Sequence, residues 1–376
     1  MSSAMRRRVL QCRSHIVYGI STVRQWLGED HVDATKAAFV GFGEVLLRLN
    51  PPGPERFRQA NTFEVRYTGA EANVGVSLAN FGLRAFAVTK VPDNELGQAC
   101  LDYLRRFGLN IDHAAIGGSR LGVFYLETGA SQRPSKVIYD RAHSSFAESG
   151  PGDYDWDTIL RGKDWLHFSG TAPALGPGVV QALEEGLAAA KRLGIMTSCD
   201  LNYRAKLWSP EEAGRVMSRL MPSVDLLLGN EEDAEKVFGI HAQGSDAAAG
   251  TLVVDSHMTV AVQLAARFGF RYIATTLRES ISASANRWAG LLYDGDRHYV
   301  SRQYLIDPIV DRVGGGDSFA GGLIYGLVSG FGPQETVDFA AAASCLKHSV
   351  PGDFNLASVA EVKALAAGNE TGRVQR

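Results

Sequence analysis

Asp311-Arg312-Val313-Gly314-Gly315-Gly316-Asp317-Ser318-Phe319-Ala320-Gly321-Gly322 sets three consecutive glycines directly before an apolar helix. That helix is predicted to run through Phe319, Leu323 and Leu327 to Gly330, so Gly314, Gly315 and Gly316 bring three backbone amides to a helix N-terminus. Backbone without side chains can approach a phosphate closely, and the amide dipoles can stabilise charge developing on a transferred group. Asp317 falls in the first turn, where the positive helix end is expected to keep its carboxylate ionised and ready to accept a proton from an attacking hydroxyl. The same string also fits a tight strand-to-helix turn capped by an aspartate. The chain has no G-x-x-x-x-G-K-[ST] loop, and Gly41-Phe42-Gly43 lacks the third glycine of a dinucleotide fingerprint. Any phosphate chemistry therefore falls to the 311–322 turn.

Outward from that turn, the chain alternates helices with short apolar strands. Ala37 to Gly43 reads as a buried strand, and Glu71 to Phe81 as a helix with Val74, Leu78 and Phe81 on one face and Gly82 as its stop. Val179, Val180, Leu183, Leu187 and Ala190 recur at helical spacing before Gly194, and Ile195 to Leu201 returns as a strand. Ser209, Pro210 and Glu212 supply an N-cap, a first-turn proline and a capping-box glutamate for a helix leading to the strand Val224 to Leu228. A helix over Thr259 to Phe268 precedes the strand Tyr272 to Leu277. This alternation predicts an α/β fold: a three-layer arrangement with a mostly parallel sheet covered on both faces, and ligands at the strand C-terminal ends. Phe57 to Tyr67 and Gly122 to Arg141 break the pattern with approximate period-two alternation, which predicts antiparallel strands outside the main sheet, forming a small lid over 48–68 and 120–145. Such a cover excludes water, a competing phosphoryl acceptor.

Bulk properties agree with a small-molecule enzyme. The chain has 376 residues, 45% of them hydrophobic, enough for a large core. A formal charge of −3 and a pI near 6.3 leave no basic excess for nucleic acid or an anionic membrane. Cys12, Cys100, Cys199 and Cys345 are scattered without a C-x-x-C pair, so the sequence suggests neither a zinc site nor a disulfide framework, and the expected compartment is reducing and cytoplasmic. No apolar stretch approaches the roughly 20 residues needed to span a bilayer. Residues 1–37 are Arg-rich, with Arg6, Arg7, Arg8, Arg13 and Arg24 preceding the first acidic residue, Glu29. They read as a disordered tail, a mis-assigned start, or a segment for organelle import. The expected organisation is this extension, one large α/β domain over 38–365 carrying a surface insertion at 241–255, and a tail over 366–376.

The turn Asp311 to Gly322 resembles the D-T-T-G-A-G-D signature of the ribokinase-like (PfkB) carbohydrate kinases, and Gly69-Ala70-Glu71-Ala72-Asn73 resembles their N-terminal glycine motif. The similarity covers about Phe39 to Val362. Within the family, T-G-A-E-A-N, W-L-H-F-S-G, D-L-N-Y-R, G-N-E-E-D and K-H-S-V-P-G-D-F-N are similar to the branch acting on 2-keto-3-deoxygluconate. The resemblance implies phosphorylation of that sugar acid at its 6-hydroxyl by ATP with Mg²⁺. Asp317 would be the base, and the amides of Gly314, Gly315 and Gly316 would stabilise the transition state.

The resemblance further implies sugar contacts at Gly69, Asn73, Tyr125, Tyr139 and Arg141, with Arg204 as the carboxylate anchor. It places nucleotide contacts at Asn202, Asn230, Thr276 and Arg278, and an adenine pocket near His348 to Phe354. Asn230 and Asp233 match the family's N-x-x-E element, with aspartate for glutamate. They would organise Mg²⁺ indirectly, or supply N-terminal charge to the following helix. Arg312, Val313 and Gly315 depart from the usual Thr, Thr and Ala, which removes any hydroxyl contact at 312 and 313. A neutral-sugar kinase of the fructokinase or ribokinase type and a catalytically silent sugar-acid-binding regulator remain the alternatives. Exposed lid edges suggest a homo-oligomer.

Overall fold

A computed structural model describes residues 36–241 and 254–369. The Arg-rich opening, most of the 241–255 insertion and the last residues of the tail lie outside the described residues.

The fully buried run Ala38–Phe42 forms β1, followed by β2 (Leu46–Asn50) and β3 (Glu64–Thr68). Next come α1 (Ala70–Asn80), β4 (Arg84–Val88), β5 (Lys90–Val91), α2 (Glu95–Arg106), β6 (Leu109–Asn110) and β7 (Ala115–Ile116). β8 (Gly122–Glu127) and β9 (Lys136–Asp140) precede α3 (Trp156–Leu160), β10 (Trp165–Ser169), α4 (Pro177–Leu193) and β11 (Met196–Asp200). The chain continues through α5 (Pro210–Leu220), β12 (Leu226–Leu228), α6 (Glu231–Phe238), α7 (Val254–Phe268) and β13 (Tyr272–Ser280). A hairpin gives β14 (Asn286–Tyr293), and β15 (His298–Val300) and β16 (Tyr304–Ile306) lead to α8 (Gly315–Val328), α9 (Pro333–Lys347) and α10 (Val359–Ala366).

The main sheet runs β6-β4-β1-β10-β11-β12-β13 with every neighbour parallel, and β14 adds antiparallel to β13. β15 and β16 both pair with β14. Two apolar clusters cover the faces. Leu78, Phe81, Phe319, Leu323, Phe339 and Val362 join α1, α8, α9 and α10 on one side. Leu183, Leu187, Met217, Val237 and Leu264 join α4 to α7 on the other. This is the expected three-layer α/β arrangement, and both faces are apolar because helices cover both. Among the described residues, no helix is long and apolar enough to cross a membrane.

Helix ends follow local chemistry. Pro177 opens α4 and Gly194, at φ 70°, closes it. Ser209 Oγ accepts the Glu212 amide at 3.2 Å to cap α5. Two boundaries differ from expectation: α7 begins at Val254, inside the expected insertion, and Thr276 and Arg278 lie within β13, which extends to Ser280 because β14 pairs along its full length.

The lid is a four-stranded sheet ordered β3-β2-β8-β9. It is mixed rather than antiparallel, since β2 and β8 run parallel. The 57–63 stretch expected to be strand is instead an irregular segment tied down where the Phe57 amide donates to Glu127 Oε2 at 3.0 Å. β2 escapes the periodicity argument because its buried face is Leu46, Arg48 and Asn50, with two polar residues turned inward.

Candidate active site

Gly314 caps α8 in the left-handed region at φ 82°, where a Cβ would overlap the Asp353 carbonyl oxygen. At Gly315 a Cβ would lie 2.6 Å from the His348 ring, whereas at Gly316 it would meet nothing within 4 Å. The three glycines thus differ: the first two are required by packing, and the third leaves backbone open to a cavity of about 480 Å³. Ser344 Oγ donates to the Gly315 carbonyl at 2.7 Å, fixing the turn from α9.

Asp317, one residue further on, receives a hydrogen bond of 2.6 Å from Asn73 Nδ2, whose own Oδ1 accepts from Thr68 Oγ1 at 2.8 Å. The two glycine motifs therefore meet at one carboxylate, 244 residues apart in sequence. Burial raises the Asp317 pKa to about 7; Glu71 and Asp353 push in the same direction, while the Asn73 hydrogen bond and Arg204 oppose. The helix end alone is expected to keep the carboxylate ionised; burial and two nearby carboxylates instead hold it near neutrality. A carboxylate poised near neutrality suits a general base. Glu71, 3% exposed, accepts from the Ser169 amide and hydroxyl at 2.8 and 2.6 Å, and burial raises it to about 7.

Strand alternation sorts the lid residues. Tyr139 lies opposite Phe124, and their rings pack 5.9 Å apart on the face turned to the main domain. Arg141 leans over the Tyr139 ring, and its Nε donates to buried Glu44 at 2.7 Å. Tyr125 is one residue out of phase and packs edge-on against Phe63 on the outer face, so the lid does not bring it together with Tyr139 and Arg141. Gly69 is the N-cap of α1, in a position where a Cβ would overlap the Glu44 carbonyl oxygen.

Asp200, Asn202, Arg204, Asn230, Asp233, Thr276, Arg278, Arg312, Gly316 and His348 share the wall of the cavity beyond the C-terminal ends of β11, β12 and β13. Arg204 is exposed, and its Nη1 donates to the Tyr203 carbonyl at 3.1 Å. Both Asp233 oxygens accept backbone amides, from Tyr203 at 3.0 Å and Asn230 at 3.2 Å, while Asn230 Oδ1 accepts the Asp233 amide at 2.8 Å. This capping box on α6 gives Asp233 a structural task, the second of the two readings. Asp200 was overlooked by sequence reasoning, although an aspartate ending an apolar strand of a parallel sheet is a signal for a site. Burial, then Asp233 and Asp317, raise it to about 8.

The 348–354 segment divides. His348 lines the cavity, its ring 5.0 Å from that of Trp288, whereas Phe354 packs on Tyr103 and Phe107 in the core and Asp353 turns toward the lid. Arg312 and Val313, the departures from the threonine pair, have packing tasks. Arg312 Nη2 donates to the Ser282 and Ala283 carbonyls at 3.2 and 2.8 Å, holding the β13–β14 loop, and Val313 packs on Leu46, Phe124 and Leu126 of the lid.

A glycine turn at a helix N-terminus, a near-neutral aspartate beside it and a covering β-sheet form an arrangement that can support phosphoryl transfer on a doubly covered sheet. The pfkB carbohydrate kinase profile matches residues 36–272 and 290–358, and the chain belongs to that family. Its fold is ribokinase-like, and the protein is a sugar kinase. It is 49% identical to a crystal structure of 2-dehydro-3-deoxygluconokinase from Thermotoga maritima, with a TM-score of 0.85 over 88% of this chain and 100% of that one. It is 32% identical to a 2-dehydro-3-deoxygalactonokinase of Haloferax volcanii over 89% of this chain and 98% of the relative. A 2-dehydro-3-deoxygluconokinase of Thermoproteus tenax is 27% identical, over 84% of this chain and 90% of its own.

Proposed function

We propose that the protein transfers the γ-phosphoryl group of ATP to the 6-hydroxyl of 2-keto-3-deoxygluconate, giving the 6-phosphate. The observation that carries this reading is the Asn73–Asp317 hydrogen bond, which fixes a near-neutral carboxylate beside the open Gly316 backbone. Asp317 takes the hydroxyl proton as the oxygen attacks, while the helix N-terminus stabilises charge on the transferred group. Arg204 holds the substrate carboxylate, because its guanidinium forms no ion pair among the described residues and faces the cavity. The names of the relatives point the same way: each acts on a 2-keto-3-deoxy sugar acid.

Mg²⁺ bound with ATP neutralises phosphate charge. The oxygen-rich wall of Asp200, Asn202 and Asn230 fits a hard cation. Thr276 and Arg278 face the same cavity from β13 and supply contacts for the phosphates.

The test is coupled ADP release with Mg-ATP and 2-keto-3-deoxygluconate, 2-keto-3-deoxygalactonate, fructose, ribose and gluconate. Turnover fastest on the keto-deoxy gluconic acid supports the assignment. Preference for its epimer moves the substrate by one stereocentre, and preference for fructose or ribose defeats the acid reading.

A further inference from the structure

Arg48, in the middle of β2, is 2% exposed and spans two carboxylates. Its Nη2 donates to Asp311 Oδ2 at 2.8 Å and its Nη1 to Asp353 Oδ2 at 2.9 Å. Asp311 begins the glycine signature, and its Oδ1 accepts the Val313 amide at 3.0 Å. The Asp353 carbonyl lies against Gly314, so both partners of Arg48 touch the turn itself. A second buried cation completes the cluster: Lys347, with no exposed surface, donates to the Asp311 and Val350 carbonyls at 3.0 and 3.3 Å. Two residues before Arg48 on the same strand face, Leu46 packs with Phe124, Leu126 and Val313. The lid thus grips the turn twice, once through charge and once through apolar contact.

Apolar side chains of similar volume would stabilise this junction at least as well, since buried ion pairs gain little net free energy. What directional ion pairs add is a fixed orientation. We propose that Arg48 is a positioning residue that locks the lid to the phosphoryl-transfer turn through Asp311 and Asp353, setting the acceptor side of the site against the donor side. This rests on Asp317 and the glycine turn being the transfer site. Tyr139 stands on the same lid sheet, with Arg141 directly after its strand, so the strand that faces the sugar and the turn that faces the phosphate share one rigid joint.

The experiment compares Arg48→Met, Arg48→Lys, Arg48→Met/Asp353→Asn and Asp317→Asn in the full chain, using Mg-ATP and the acceptor that the wild-type enzyme turns over fastest, with Tm, kcat and KM read for each. Arg48→Met is expected to lower Tm and to lower kcat roughly 10²-fold, with smaller changes in KM. The double variant removes the more deeply buried of the two orphaned carboxylates, leaving Asp311 with its backbone amide donors, so Tm recovers in large part while kcat stays low; Arg48→Lys, keeping the charge, falls between. Recovery of kcat in step with Tm, or a folded double variant with wild-type kcat, overturns the proposal, and the double variant decides it even if Arg48→Met does not fold. Wild-type turnover in Asp317→Asn would instead remove the assignment of the transfer site.

Discussion

Gly316→Ala and Gly314→Ala should move stability in opposite directions while both abolish efficient turnover. Gly316 is the second residue of α8, and a Cβ there meets nothing within 4 Å. Alanine in a helix is favoured over glycine by roughly 0.5–1 kcal/mol, so Gly316→Ala should raise Tm by about 1 °C in a chain of this size. On the proposed mechanism, the new methyl group nevertheless fills the space through which a phosphoryl group approaches the amides. Displacement by about 1 Å is enough to cost on the order of 10²-fold in kcat. At Gly314, alanine would sit at φ 82°, costing roughly 1–2 kcal/mol, and would drive its Cβ into the Asp353 carbonyl. Moving that carbonyl disturbs a residue paired with Arg48, so the total should exceed about 3 kcal/mol. Thermal unfolding and steady-state kinetics on the two variants decide the matter. A Gly316→Ala enzyme with wild-type kcat and wild-type KM for ATP would refute the claim that its open backbone is where the transferred group binds.

Asp317→Asn should lower kcat by roughly 10²–10⁴-fold, and wild-type kcat/KM should rise with pH through about 7 and then level, a limb absent from the variant. Glu71, folded pKa about 7 against an ordinary 4.5, contributes stability that is full below about pH 4.5 and lost as pH rises to about 7. Glu71→Gln should therefore unfold at higher temperature than wild type at pH 8, by the equivalent of about 3 kcal/mol, with the gap closing near pH 4.5. Arg204→Ala should raise KM for a sugar acid by roughly 10–100-fold, the loss of a charged hydrogen-bond pair, and leave KM for ATP within about threefold. An unchanged acid KM would remove Arg204 from the carboxylate.

The regular part of the fold was legible because its signals are local. The glycine run, its helix, and the alternation from Ala38 to Leu277 all follow from hydrophobic period and capping, which depend on neighbours a few residues apart. Strand β2 was not legible, since its buried face holds Arg48 and Asn50, and only distant partners make inward polar residues tolerable. The outward face of Tyr125 follows from register with β9, which a single out-of-phase residue reverses.

By itself, the sequence determined which chemistry the turn can support, because amides without side chains at a helix N-terminus and a carboxylate one residue on are properties of a dozen adjacent residues. The tertiary structure decided how that chemistry is tuned. Asn73 reaches Asp317 across 244 residues, burial beside Glu71 and Asp353 brings that carboxyl group to about 7, and Arg48 binds the lid to the turn across 263 residues. Desolvation and ion pairing depend on what surrounds a group in three dimensions, and those surroundings form only when distant segments of the chain pack together.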